Sequence, residues 1–185
     1  MQSALAKQIA LVVVDMQAPF LKAIRGSGQI LERCRFTLEA AQLLGMRILF
    51  TEQVPDKLGH TDKRLLDLAP KARVLAKTTF SAFGAEGFAD ELRANSIRHI
   101  LLAGIETPIC IYNTAIQASS QDMEVTLLED CIGARRPKDA KTVLRFLCQK
   151  SDCHVLPSET IFYCLLNDAM NPLFREFTHL VKKYS

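Results

Sequence analysis

Three residues whose side chains can carry out nucleophilic chemistry stand at the ends of apolar runs of this sequence. Asp15 follows IALVVV, Lys77 follows RVLA, and Cys110 lies just beyond the run that ends at Ala103. A cysteine supplies a nucleophile, a carboxylate can take its proton, and a lysine can stabilise negative charge. Each residue alone is explained as well by capping, solvation or packing, but together they form the set that nucleophilic catalysis needs.

The stretch GIETPIC, residues 104–110, favours a reactive position for the cysteine. With Thr107 as the N-cap, Pro108 takes the first helical position, where its missing N–H costs nothing, and Cys110 falls in the first turn. We expect the helix dipole and Lys77 to lower the pKa of the thiol, whereas the charge of Asp15 opposes ionisation. The first-turn N–H groups would face the oxyanion of a tetrahedral intermediate.

The elements that must position these residues alternate along the chain. Strands are predicted at 9–14, 47–51, 73–76, 97–103, 124–128 and 153–156, and helices at 31–44, 62–68, 87–94, 108–120, 137–149 and in the tail from residue 158. Buried strands that alternate with helices specify an α/β fold with a parallel sheet covered on both faces. In such a sheet the ligand site lies beyond the carboxyl ends of the strands, near a switch in strand order. The three residues should therefore meet on one rim.

Composition predicts an ordinary globular chain with a single domain over residues 1–185. It is 49% hydrophobic and 23% charged, and its net charge of +3 comes from 23 basic and 20 acidic residues scattered along the sequence. The basic points at 135–138 and 182–183 are short, so we interpret them as solvated loop and tail and expect no nucleic-acid partner. No window reaches the roughly 18 apolar residues of a membrane span, so no membrane partner is expected.

The N-terminus and the cysteines indicate a cytoplasmic protein. The segment MQSALAKQIALVVVD is a poor secretory signal, because its apolar stretch is short and ends on Asp15 without a small-residue cleavage site. Six cysteines in a chain without such a signal fit reduced thiols better than a disulfide framework. Cys148, Cys153 and His154 could suggest a metal, but a second ligand pair is missing and a buried strand cysteine is the better interpretation.

Three motifs in order, LVVVDMQAPF, KTTFSAF and LLAGIETPICIYNTAIQA, resemble the isochorismatase-like cysteine hydrolase superfamily, which includes nicotinamidases and N-carbamoylsarcosine amidohydrolase. ILFTEQVPDKLG and SETIFYCLLNDAMNPLFREF extend the resemblance over essentially the whole chain, to the subgroup of small isochorismatase-domain proteins. The resemblance implies a three-layer α/β/α Rossmann-like fold with a six-stranded parallel sheet. It also implies a homo-oligomer, for which the C-terminal helices are one candidate interface.

The resemblance assigns roles to particular positions. It implies a catalytic triad of Asp15, Lys77 and Cys110 and a cis peptide bond between Ile105 and Glu106. The backbone N–H groups of Glu106 and Cys110 would then form the oxyanion hole.

Two departures from the superfamily narrow the expected chemistry. Nicotinamidases bind a metal through an Asp after the first motif and an Asp-x-His after the second strand, where this chain has Pro19 and residues 51–53, Thr-Glu-Gln. We therefore expect no metal and no other cofactor, with His60 of the same loop as a weak candidate ligand. Isochorismatase itself lacks the cysteine and cleaves a vinyl ether, so Cys110 favours amide-type acyl chemistry.

Further candidates surround the proposed triad in sequence. Phe20, Phe80 and Phe83 could line an apolar pocket, and core packing explains each equally well. Gln17 is expected to support Asp15 from the loop or to satisfy a local backbone group, and Tyr112 to face the pocket or a neighbouring subunit. The run at 25–28, Arg-Gly-Ser-Gly, lacks the third glycine of a nucleotide-binding loop and is interpreted as a turn.

The leading hypothesis is a metal-independent cysteine hydrolase that cleaves a small amide or related acyl C–N bond through a thioester on Cys110. The alternative is a binding or scaffolding protein that keeps the fold and the triad with little turnover. The sequence leaves the substrate open, because the pocket depends on the loops at 16–30 and 52–62.

Overall fold

Six apolar runs form a parallel sheet in the computed structural model, which describes residues 6–185. Residues 1–5 lie outside the described residues. They belong to the N-terminal segment for which the sequence predicted no secretory signal. The strands are β1 Ile9–Val14, β2 Arg47–Gln53, β3 Arg73–Lys77, β4 His99–Ile105, β5 Glu124–Gly133 and β6 Cys153–Leu156. They pair in the order β3-β2-β1-β4-β5-β6, and every neighbouring pair is parallel. The predicted six-stranded α/β fold is thus confirmed.

Helices connect the strands and cover both faces of the sheet. They are α1 Ala18–Ala23, α2 Ser27–Leu43, α3 Pro55–Leu58, α4 Lys63–Leu66, α5 Phe88–Ala94, α6 Tyr112–Ser119, α7 Pro137–Leu147, α8 Ser158–Leu166 and α9 Phe174–Lys183. A π-helix, Thr107–Ile111, precedes α6, and short 3₁₀ turns lie at Ala6–Gln8 and Ala82–Gly84. No helix within residues 6–185 is long and apolar enough to cross a membrane.

Two apolar cores, one on each face, explain why the strands are hydrophobic throughout. Along β1, Leu11 and Val13 pack with α2, α8 and α9, whereas Ala10, Val12 and Val14 pack with α5, α6 and α7. Successive side chains of a strand point to opposite faces, so a strand buried on both faces has no polar alternation. The first core contains the aromatic cluster of Phe36, Phe162, Phe177 and Tyr184.

The strand order reverses between β1 and β4. The chain builds outward from β1 to β2 and β3, then returns to place β4 on the other side of β1. Ligands of such sheets bind beyond the carboxyl ends at this switch point. Gly104, with φ at +112°, pairs there with Val14, and a β-carbon at Gly104 would lie 2.1 Å from the Val14 carbonyl oxygen. Only glycine allows the ends of β1 and β4 to approach so closely.

The predicted elements differ from the structure mainly at their ends. Helix α2 begins at Ser27 rather than residue 31, and β5 runs to Gly133 rather than 128. The register between β4 and β5 shifts between Leu102 and Gly104, and this irregularity accommodates the longer strand. The predicted helix at 108–120 has its N-cap at Glu106 rather than Thr107, and its first turn is π rather than α. Helix α1 lies inside the stretch expected to be a loop.

Candidate active site

The structure brings Asp15, Lys77 and Cys110 together in one buried cluster at the carboxyl ends of β1, β3 and β4. Lys77 Nζ donates a hydrogen bond to Asp15 Oδ2 at 2.6 Å and lies 3.8 Å from Cys110 Sγ. The side chains of Asp15 and Lys77 are both 0% exposed. A buried ion pair beside a thiol can move a proton between the carboxylate and the sulfur without involving solvent.

Backbone and side-chain hydrogen bonds fix the Asp15 carboxylate. Asp15 follows β1 with a left-handed φ of 52°, a conformation that Asp tolerates better than most residues. Its backbone N–H donates to the Thr51 carbonyl oxygen at 3.0 Å, and Thr51 Oγ1 donates to Asp15 Oδ1 at 2.8 Å. With Lys77 on the other oxygen, both carboxylate oxygens have a donor, so the carboxylate has one defined orientation.

Lys77 is held by acceptors on two sides. Its ammonium group donates to Gln53 Oε1 at 2.6 Å and to the Thr79 carbonyl oxygen at 3.2 Å, besides Asp15. Gln53 in turn donates from Nε2 to the Thr78 carbonyl oxygen at 2.8 Å. Each of the three ammonium protons thus has an acceptor, as a buried cationic group requires.

The thiol of Cys110 is not activated in the way that the sequence suggested. Burial and the nearby Asp15 charge raise its pKa to about 12, and the opposing effect of Lys77 does not restore the usual value. Burial also raises the pKa of Asp15 above its usual value, although Lys77 counteracts this. The expectation of a lowered cysteine pKa was therefore wrong, because desolvation outweighs the helix dipole and the lysine. The site therefore holds a protonated thiol beside the Asp15 carboxyl group.

The segment between β4 and α6 carries Cys110. The peptide bond between Ile105 and Glu106 is cis, and the Glu106 carbonyl oxygen accepts hydrogen bonds from the N–H groups of Ile109 at 3.0 Å and Ile111 at 3.3 Å. Thr114 Oγ1 donates to the Cys110 carbonyl oxygen at 2.7 Å and accepts from the N–H of Ala82 at 2.9 Å. The π-helix is thus anchored to the loop that follows β3, which fixes Cys110 relative to Lys77.

A cavity of about 220 Å³ opens on Cys110. Phe20 and Phe80, two of the residues proposed for a pocket, line this cavity, and Phe80 is 58% exposed at its edge. The remaining walls are formed by Gln53, Ile105, Glu106, Ile109 and Arg135. The cavity is mostly apolar with a few polar groups, which is the usual character of a small-molecule site.

Three pocket candidates lie elsewhere. Phe83 packs edge-on against Phe88 and lines a separate cavity, and Tyr112 packs against Phe146 of α7. Gln17 is fully buried, but its side chain joins two loops. It donates to the carbonyl oxygens of Gln53 at 3.0 Å and Gly59 at 2.5 Å, and accepts from the Gln53 N–H at 2.7 Å. Spacing along the chain could not distinguish the cavity wall from the surrounding core.

Sequence reasoning missed Gln53 and Arg135. Gln53 is the last residue of β2, which lies between β1 and β3 in the sheet. Both neighbouring strands end in or directly before a proposed catalytic residue, so the end of β2 could have been recognised as a further site position. Arg135 was interpreted as solvated loop, but Arg135 Nε donates to Glu106 Oε1 at 2.7 Å at the cavity. Its partner is 29 residues away, so no local pattern revealed the pair.

The positions that correspond to the nicotinamidase metal ligands have other partners in this chain. Pro19 lies in α1 and Thr51 donates to Asp15. The Glu52 carboxylate accepts the Thr61 N–H at 2.7 Å and contacts His60 Nδ1 at 3.0 Å. His60 is largely exposed, and the hydrogen bond to Glu52 raises its pKa. Within residues 6–185, no three His, Cys, Asp or Glu side chains are grouped to hold a metal ion.

Comparison with known proteins agrees with this architecture. The profile of the Isochorismatase domain matches residues 9–156. Isochorismatase domain-containing protein 2A of Mus musculus is 33% identical over 94% of this chain and 82% of its own length. Isochorismatase domain-containing protein 1 of Salmo salar is 31% identical over 91% of this chain, and the chain spans only 59% of that relative's length.

Solved structures show the same fold. The structure of MAR1 ribonuclease from Caenorhabditis elegans superposes with a TM-score of 0.90 at 26% identity, over 96% of this chain and 91% of the other. The YcaC gene product of Escherichia coli, described as an octameric hydrolase of unknown specificity, has a TM-score of 0.85 at 17% identity over 97% and 94%. At that identity the second likeness concerns the fold alone.

The parallel sheet and its covering helices define an α/β protein with a hydrolase fold. More particularly, the chain belongs to the isochorismatase family.

Proposed function

We propose that the protein is a cysteine hydrolase that cleaves an amide-type C–N bond of a small molecule through a thioester on Cys110. The observation that carries the proposal is the buried Lys77 ammonium, 2.6 Å from the Asp15 carboxylate and 3.8 Å from the Cys110 sulfur, at the edge of a cavity. Charge, base and nucleophile are then within reach of one bound carbonyl.

Proton transfer and attack occur together in this proposal. The thiol, with a pKa of about 12, stays protonated until a carbonyl enters the cavity. Asp15 then takes the proton while the sulfur forms a bond to the carbonyl carbon and the carbonyl π electrons move to oxygen. The raised pKa of Asp15 makes this carboxylate a better base than an exposed one. The Lys77 ammonium offsets the negative charge that lies on Asp15 before the transfer and develops on the sulfur and the carbonyl oxygen during attack.

The tetrahedral intermediate collapses with protonation of the leaving nitrogen by Asp15, which gives the free amine or ammonia and a thioester. Asp15 next takes a proton from water as the water attacks the thioester, and the sulfur leaves with that proton. A carboxylic acid and the original thiol result, so the cycle closes without an external proton donor. The backbone N–H groups of Glu106 and Cys110 are the proposed donors to the oxyanion.

The cavity supports a small substrate with an apolar part. Its volume, about 220 Å³, lies below the common range for drug-sized ligands. Phe20, Phe80 and the two isoleucines Ile105 and Ile109 present apolar surface, and the polar residues of the wall are Gln53, Glu106 and Arg135. The substrate class that fits is a short acyl amide.

Acyl transfer from p-nitrophenyl acetate tests the proposal without knowledge of the substrate. Cys148 and Cys164 are exposed, so both are replaced by serine to remove competing thiols. We expect mass spectrometry to find one acetyl group, on Cys110, and a panel of small amides to yield ammonia or amine. If the folded protein is not acetylated at any residue and hydrolyses no amide, the result would instead support the binding or scaffolding alternative.

A second candidate, cleavage of RNA, is prompted by the structurally similar MAR1 ribonuclease. The site does not favour it, because a thiol attacks acyl carbon and the cavity is apolar and small for a nucleotide. The two candidate functions are separated by incubating single-stranded RNA with the parent protein and, in parallel, with the Cys110→Ala variant. Cleavage by the parent that is absent in the variant would support a nuclease; we expect none from either.

Self-association is also part of the proposal. The structurally similar YcaC protein is described as octameric. Half-exposed Phe146 and exposed Met170, at 87%, offer apolar surface in the C-terminal part of this chain. Light scattering at several concentrations tests whether the protein is larger than a monomer.

A further inference from the structure

The pair of Glu106 and Arg135 lies at the edge of the site and takes no part in the proton transfers described above. Glu106 follows the last residue of β4, and Arg135 lies between the end of β5 and the start of α7. Arg135 contacts the same carboxylate twice: its backbone N–H donates to Glu106 Oε2 at 3.0 Å, and its Nε donates to Oε1 at 2.7 Å. Both residues line the cavity that contains Cys110.

The two members of the pair differ in exposure. The Glu106 side chain is 8% exposed, whereas that of Arg135 is 55% exposed. A carboxylate this buried needs its donors, because an uncompensated charge in such a place favours movement toward water. An exposed surface pair would have little effect, but here one partner is part of the cavity wall.

Movement of Glu106 would displace the backbone where the π-helix begins. The Glu106 carbonyl oxygen accepts the N–H groups of Ile109 and Ile111, so this residue anchors the start of the π-helix. The Glu106 N–H is also a proposed oxyanion donor. A change in its position affects the tetrahedral intermediate more than the sulfur, since Asp15 and Lys77 hold the surroundings of the sulfur independently.

We infer that Arg135 is a positioning residue, which holds the Glu106 carboxylate and thereby keeps the Glu106 N–H directed at the oxyanion. The inference rests on the proposed function. Arg135 also neutralises the Glu106 charge beside the place where negative charge develops, and both effects act on the intermediate rather than on substrate binding.

Two reagents separate this role from a general structural one. Attack on p-nitrophenyl acetate passes through an oxyanion: the C–S bond forms, the C–O bond breaks, the electron pair leaves with p-nitrophenolate and the thiol proton goes to Asp15. Iodoacetamide alkylates the sulfur by displacement of iodide, with no oxyanion. Both reactions are followed at Cys110 in protein with Cys148 and Cys164 replaced by serine.

The variants are Arg135→Ala, Arg135→Lys, Glu106→Gln and the double variant of Arg135→Ala with Glu106→Gln. We expect Arg135→Ala to slow acetylation at saturating ester by about 10- to 100-fold, which is less than the roughly 10²- to 10³-fold loss on removal of an oxyanion donor, because the Glu106 N–H is displaced but still present. Alkylation should change by less than about twofold, because the Asp15 and Lys77 contacts persist. The neutral amide of Glu106→Gln has no buried charge to expel, so it should restore most of the acetylation rate in the double variant.

Each other outcome decides against the inference. Unchanged acetylation in Arg135→Ala, an equal loss of both reactions, or no recovery in the double variant overturns a positioning role. A rise only in the ester concentration for half-maximal rate indicates direct binding by Arg135 instead. If Arg135→Ala does not fold by circular dichroism, Arg135→Lys gives the same comparison with a milder change, because it removes the Nε hydrogen bond to Glu106 but keeps a positive charge at that position. Parent protein that is never acetylated at Cys110 refutes the proposed function itself, which is a distinguishable result.

Discussion

Two buried thiols in this protein lie next to an aspartate that is paired with a basic side chain, but Cys110 lines a cavity, whereas Cys131 is fully buried in the core. Cys110 has Asp15 and Lys77. Cys131 follows Asp130, whose carboxylate accepts Arg33 Nε at 2.7 Å. Burial raises the pKa of both thiols, to about 12 for Cys110 and well above the usual value for Cys131. A shifted cysteine pKa therefore does not by itself identify a nucleophile.

The two carboxylates differ in the direction of their pKa shifts. Burial would raise the pKa of Asp130, but hydrogen bonds from the Ser158 hydroxyl and N–H and from Arg33 hold it below its usual value. At Asp15 burial prevails and the pKa is raised. A carboxylate with so many donors is a poor base, whereas one with a raised pKa accepts a proton readily. We therefore regard the Asp130 cluster, in which Ser158 Oγ donates to Asp130 Oδ2 at 2.6 Å, as a connection between β5 and α8.

Removal of the sulfur should have the most different effects at Cys110 and at Cys131. In protein with Cys148→Ser and Cys164→Ser, Cys110→Ala should reduce acetylation by p-nitrophenyl acetate by about a thousandfold or more, since the nucleophile is gone. Cys131→Ala should retain the rate and lower the free energy of unfolding by about 1–2 kcal/mol, as expected for a small deletion in the core. Stopped-flow absorbance and urea denaturation measure the two quantities. Acetylation that survives in Cys110→Ala contradicts the proposed mechanism.

Neutralising each carboxylate gives the next largest contrast. Asp15→Asn should lower the acetylation rate by about 10²- to 10⁴-fold, because the general base is lost. Alkylation of Cys110 by iodoacetamide should become faster at pH 8, since removal of the Asp15 charge lowers the pKa of the thiol. The matched variant Asp130→Asn should leave both rates within about twofold. A parallel fall of both reactions in Asp15→Asn would mean that the variant perturbs the site rather than its proton transfer.

Removing each cation tests how strongly burial matters. Lys77→Met leaves Asp15 uncompensated where both side chains are fully buried, so the free energy of unfolding should fall by about 3–5 kcal/mol. Arg33→Met should lose about 1–2 kcal/mol, because Ser158 continues to donate to the partly exposed Asp130. Urea titrations followed by circular dichroism give both values. Equal losses would show that burial does not distinguish the two pairs.

The pH dependence of alkylation is the smallest effect and tests the state of the resting thiol. With a pKa of about 12, the thiolate fraction of Cys110 is far from saturation at neutral pH. The alkylation rate should thus rise about tenfold for each pH unit from 7 to 9. Cys131, which is fully buried, should stay unlabelled in the native protein. A plateau below pH 8 would indicate the lowered pKa that the sequence alone suggested.

Much of the fold could be predicted because local patterns carry it. Strands such as β1 and β6 were predicted with their observed ends, since continuous apolar runs of strand length have few other interpretations. The rim on which Asp15, Lys77 and Cys110 would lie followed from the parallel topology. The π-helix and the length of β5 were not predicted, because they depend on the register between β4 and β5 and on contacts such as that of Thr114 with Ala82.

The sequence by itself determined which residues can react and on which edge of the sheet they lie. Residue type and element order are local properties, and the β-α alternation converts them into a common rim. The tertiary structure decided which partners each group has: Gln53 on Lys77, Arg135 on Glu106, and a cavity beside Cys110, whereas Cys131 is fully buried in the core. It also reversed the expected shift of the cysteine pKa. Desolvation depends on everything that packs around a group, and packing between residues far apart in the chain is absent from any local pattern.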